Sequence, residues 1–94
     1  MARIVITHAV EEKHMNRYQS KQHADRISEI MAPFGTDAVV YVAADGSNRV
    51  ATAVNIHNMA GLMTFSQSPE AAANLEADGV IQPIVFHVEP DHQA

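Results

Sequence analysis

Cysteine is absent from this chain. That removes disulfides, thiolate zinc sites, iron–sulfur clusters and cysteine nucleophiles in one step, and it fits a cytoplasmic location. Basic charge is scarce as well. The six Lys and Arg residues are scattered as Arg3, Lys13, Arg17, Lys21, Arg26 and Arg49, against eleven Asp and Glu, for a formal net charge of −5. Nonspecific nucleic-acid binding needs clustered cations to displace counterions, so no nucleic-acid partner is expected. No apolar run approaches the roughly 18 residues of a membrane helix. The opening "MARIVITHAVEEKH" has too short an apolar run for a signal peptide and no small-residue cleavage site. Nothing therefore points to a membrane. A nucleophile elbow of the form GxSxG is missing too, and "DGSN" at 45–48 reads as a hairpin turn rather than a phosphate loop.

The composition that remains, 47% hydrophobic and 18% charged, is that of a globular chain. Its 94 residues suit one domain, 1–94. A domain this small buries only about two thirds of its unfolded surface, so association would add stability.

Residues 3–9 alternate Arg3, Val5 and Thr7 with Ile4, Ile6 and His8, a strand that is apolar on most of both faces. Met15, Tyr18, Ala24, Ile27, Ile30 and Met31 recur at helical spacing. The register falters around Gln19 to Gln22, where a kink or break fits, and Pro33 and Gly35 stop the helix. "AVVYVA" at 38–43 and residues 49–56 are two strands joined by the turn at 44–48. Asn58 is a good helix N-cap. Ser68, Pro69 and Glu70 start a further helix, which Gly79 ends. Ile84, Phe86 and Val88 alternate with Val85, His87 and Glu89 in a last strand, and "PDHQA" is a polar tail.

The order β-α-β-β-α-β predicts an α+β, ferredoxin-like domain with an antiparallel sheet ordered 4-1-3-2. Both helical arms would then cover one face. Every strand is nevertheless apolar on both sides, whereas a sheet with one wet face should alternate. The economical solution is a second copy packed sheet to sheet. In length, element order and two-sided strands the chain resembles the dimeric α/β-barrel proteins. The segment "HNMAGLMTFSQSPEAAANLEADGVIQPIVFHVEP", 57–90, resembles the second half of small bacterial members of uncharacterised role. Antibiotic-biosynthesis monooxygenases, stress-responsive barrel proteins and haem-binding enzymes share that superfamily. The resemblance implies a homodimer that binds a small apolar molecule or serves as a structural dimer. Its alternatives are a cofactor-independent monooxygenase acting on an aromatic or polyketide-like substrate, and a haem or metal binder using one His. No cofactor is expected on the leading reading. Tryptophan, frequent in the pockets of such monooxygenases, is absent.

The residues that could carry chemistry are mainly the six histidines, His8, His14, His23, His57, His87 and His92. No pair has the spacing of a metal motif such as HExxH, so no metal site is expected. His8, at a strand exit, can face a space between helix and sheet. Tyr18 and Phe65 join it as candidates for the wall of a pocket there. Met15, Phe34, Tyr41, Met59, Leu62, Met63 and Phe86 extend that list, and the same residues would also make a plain core. His87 reads as a core or interface histidine, His23 and His92 as solvated, and His57 as structural beside the cap at Asn58.

Overall fold

The computed structural model describes residues 2–90; the tail with His92 lies outside them. β1 (Ala2–Val10) leads through a 3-10 turn (Glu12–His14) into a short α1 (Met15–Tyr18) and then α2 (Lys21–Met31). β2 (Gly35–Val42) and β3 (Arg49–Ile56) form a hairpin. α3 (Met59–Ser66) and α4 (Pro69–Ala77) precede β4 (Val80–Val88). The strands are ordered β2-β3-β1-β4 and every pairing is antiparallel. This is the ferredoxin-like α+β arrangement expected from the element order.

Local chemistry sets the boundaries. The faltering register after Tyr18 is a true break. Ser20 caps a new helix, its Oγ accepting from the His23 N–H at 3.1 Å. Asn58 caps α3 through the Gly61 N–H at 2.9 Å, and Ser68 caps α4 through the Ala71 N–H at 3.1 Å. Each cap satisfies a backbone donor that the first helical turn leaves free. At the hairpin, Gly46 has φ +79° and the Asp45 carboxylate accepts from the Ser47 N–H. Two strands begin earlier than the apolar pattern suggests. β2 starts at Gly35, where a side chain would collide with the Asn55 carbonyl of β3. It then bulges around Asp37, which has φ 57°. β4 starts at Val80 directly after Gly79. Pro83, with no N–H to donate, falls where the β1–β4 register shifts, on an edge strand that tolerates it.

The helices cover one face of the sheet. Ile4, Ile6, Val54 and Ile56 meet Leu62 in one buried cluster, with Met31, Phe34, Met59 and Ile84 against it. Val10, Tyr18 and Val50 form a second, backed by Met15 and Val40. The opposite face carries no helix. Cross-strand rows Tyr41–Ala51–Thr7–Val85 and Val39–Ala53–Val5–His87 run over it. Tyr41 is 52% exposed, Val39 41% and Val85 40%. On that face Arg3 donates to Asn55 at 2.8 Å and Asn55 to Asp37 at 3.2 Å, linking three strands.

Two substitutions test these boundaries by urea denaturation. Asn58→Ala should cost about 1 kcal/mol, the usual worth of an N-cap. Gly79→Ala should cost about 2 kcal/mol or more, because φ is +68° there and an added methyl would enter the His14 ring.

Candidate functional site

The two buried clusters leave a space between them. A partly open cavity of about 140 Å³ lies between the sheet and the helices. Ile6, Thr52, Ile84 and Phe86 of the sheet form its floor. Ile27, Ile30 and Met31 of α2, Leu62 and Phe65 of α3, and Ala71 and Leu75 of α4 supply apolar walls. His8, Tyr18, His23, Asn74 and Asp78 form a polar group in its lining, with Thr52 and Ser66 the other polar residues there.

That polar group is held by contacts between distant parts of the chain. Asp78, at the C-terminus of α4, is 5% exposed. Its carboxylate accepts from Arg26 at 2.5 Å and from Arg17 at 3.4 Å. Arg26 also donates to Asn74 at 3.2 Å, and Arg17 to the Ala77 carbonyl at 2.7 Å. The Tyr18 hydroxyl donates to the Asp78 carbonyl at 3.1 Å. The Tyr18 ring lies 4.2 Å from the His23 ring and 6.1 Å from that of His8, centroid to centroid. His8 Nδ1 is 3.0 Å from the Ala9 carbonyl, which can only accept. Nδ1 therefore carries the hydrogen, and Nε2 of the neutral ring is an acceptor.

Burial sets the protonation states. It pushes the pKa of His8 below the ordinary 6.5, against the opposing pull of the Ala9 carbonyl and of Asp78. It does the same to His23, again against Asp78. The Tyr18 phenol is pushed up to about 12 by burial, then by the nearby Asp78 charge. At neutral pH the cavity is therefore bordered by two neutral imidazoles and a neutral phenol.

No family model matches the chain, and no curated protein matches it in sequence. Solved structures match it in three dimensions. A candidate antibiotic biosynthesis monooxygenase from Nitrosomonas europaea superposes with a TM-score of 0.65 at 10% identity, covering 98% of this chain and 90% of that one. A second, from Deinococcus radiodurans, superposes with a TM-score of 0.64 at 13% identity, covering 100% and 95% respectively. The chain shares the ferredoxin-like fold of these two structures. The likeness is one of fold, so the site must be read from this chain's own side chains.

His8, Tyr18 and Phe65 all line the one cavity. Leu62 and Phe86 line it with them, whereas Met59 and Phe34 pack in the core and Tyr41 and Met63 are exposed. His57 is exposed, its backbone N–H bonded to the Phe34 carbonyl at 2.9 Å. His87 is exposed on the open face, with Nε2 3.1 Å from Thr7 Oγ1, rather than within the core of this chain. The largest departure is His23, which the sequence places in solvent. It is 3% exposed. The signal was present: with Ser20 as cap, His23, Ile27, Ile30 and Met31 fall at i, i+4, i+7 and i+8, on one helix face. Among the described residues, no group of three or more His, Cys, Asp or Glu side chains is placed to hold a metal ion.

The lowered histidine pKa values predict the direction of acid destabilisation. As pH falls, the unfolded chain takes up these protons first. Stability is full above the ordinary value of 6.5 and declines as pH drops through it towards the folded-state values. Urea midpoints measured between about pH 7.5 and 5 should fall with pH, and His23→Leu should flatten the fall.

Proposed function

We propose that the chain binds a small, mainly apolar molecule, about the size of one aromatic ring, in the cavity between helices and sheet. The supporting observation is a 140 Å³ space with mainly apolar walls and a few polar residues. A dry cavity of about 150 Å³ in another protein is enough to hold benzene. Haem is far larger than this space, so a single-histidine haem site fits less well. His8, Tyr18 and Phe65 are wall residues in this reading.

The proposed assembly is a homodimer closed sheet to sheet. Support comes from the exposed apolar side chains of Val39, Tyr41 and Val85 on the open face, which carries no helix. A self-complementary face of this kind suits a two-fold contact burying about 1,500 Å² in total. Sedimentation at micromolar concentration should give a dimer, and Val85→Lys, which sets a charge in one apolar row, should shift it towards monomer.

A second reading, cofactor-independent monooxygenase, is supported by the fold of the neighbours and by neutral imidazoles at the cavity. In such a reaction an activated CH₂ of the substrate and O₂ give a carbonyl and water. The substrate itself supplies the electrons, and a neutral histidine takes the first proton. Oxygen uptake that depends on the ligand separates this reading from binding alone.

Titration calorimetry with toluene tests the binding reading directly. The native chain should bind it saturably. Ala71→Leu, which extends a buried side chain of α4 into the cavity, should weaken binding at least about tenfold without loss of the folded circular-dichroism spectrum. Equal binding by both proteins would place the toluene elsewhere.

A further inference from the structure

Most of the polar groups around the cavity are already engaged. The Tyr18 hydroxyl is given to the Asp78 carbonyl. The Asp78 carboxylate is shared by two guanidinium groups, and the Asn74 oxygen is taken by Arg26. The Ser66 hydroxyl donates to the Met63 carbonyl. Among the described residues, the buried side-chain nitrogen and oxygen atoms that lack a partner are Nδ1 and Nε2 of His23. A buried imidazole left in this state is costly, and native structures seldom leave such groups unmet.

His23 also stands between two spaces. It lines the inner cavity, and it lines a depression on the other side bordered by Arg17, Ser20 and Arg26. The His23 ring therefore separates the depression from the cavity. A neutral imidazole has one N–H and one lone pair, so it can donate one bond and accept one.

We infer that His23 is the specificity-determining residue of the cavity, and that it selects an apolar molecule bearing one uncharged hydroxyl group. This inference rests on the reading of the cavity as a ligand site. A hydroxyl can either donate to or accept from the free ring nitrogen, whichever tautomer is present. A pure hydrocarbon leaves that nitrogen unmet. A carboxylate needs a cation, and among the described residues the two arginines beside the cavity are already paired. Arg17 of α1 and Arg26 of α2 are turned to Asp78, which closes α4. His8 of β1 and Tyr18 of α1 border the same space as neutral groups, and burial opposes charge on His23 itself. The partner that fits the geometry is thus polar, small and uncharged.

Calorimetry on the full chain with three probes of nearly equal size, phenol, toluene and benzoate, tests this. The native protein should prefer phenol to toluene by roughly tenfold, the worth of one net hydrogen bond, and should bind benzoate least. His23→Leu keeps an apolar side chain of similar reach. It should bind toluene as well as the native protein does or better, and lose the preference for phenol. Phenol, and not toluene, should also move the ring ¹⁵N resonances of His23. Toluene binding without any preference for phenol overturns the role of His23 and leaves the cavity a ligand site. A preference that survives in His23→Leu overturns it equally. Failure of both toluene and phenol to bind overturns the ligand site together with the inference.

Discussion

The buried carboxylate of Asp78 ties the two halves of this fold together. A carboxylate removed from water is tolerated only when paired and hydrogen-bonded. Here the pairing comes from α1 and α2, about half the chain away, through Arg17 and Arg26. The neighbouring backbone repeats the connection. Tyr18 donates to the Asp78 carbonyl, and the Glu11 N–H to the Gly79 carbonyl at 2.8 Å. The turn at 77–79 thus becomes a fixed junction where the first helical arm, α4 and β4 converge. Both guanidinium groups are partly exposed, so solvent screens the attraction, and its main effect is positional.

That junction borders the part of the helix layer that is not packed solid. Tyr18, pulled towards Asp78, belongs to the cluster around Val10 and Val50, while Leu62 belongs to the one around Ile4 and Val54. The cavity lies between them, walled by residues from both. Several of its polar groups are those that the junction collects, and their burial sets their protonation states. A nearby carboxylate would ordinarily favour protonated histidines. Desolvation outweighs that pull and keeps both rings neutral, aided by Arg49 at His8 and by Arg26 and Arg17 at His23.

The two faces of the sheet differ in what they leave unsatisfied. The helix face leaves a buried imidazole without partners, which calls for a small molecule or a water. The open face leaves apolar rows broken by Thr7, His87 and the Arg3–Asn55–Asp37 chain. Such a surface is broad and shallow, better suited to another protein surface than to a small ligand.

Much of this was legible in the sequence because it depends on neighbours in the chain. Ser68 and Asn58 cap helices through backbone donors three residues on, and the β-branched strands alternate over a few residues. The element order, joined to the antiparallel rule, then fixes the sheet as 2-3-1-4. The two-sided apolarity of Val5, Val39 and Val85 also comes from sequence alone, as does the placing of His8, Tyr18 and Phe65 on elements that could face one space. The bulge at Asp37 and the early start of β2 escaped, since Gly35 is explained only by the Asn55 carbonyl beside it. So did His23. Its burial depends on the helix restarting at Ser20, which changes the phase of every residue after it, and on α4 standing opposite. The grip of Arg17 and Arg26 on Asp78 spans 61 and 52 residues. No local pattern encodes it, because charge pairs between distant segments exist only once tertiary packing has brought them together and removed the water that would otherwise separate them.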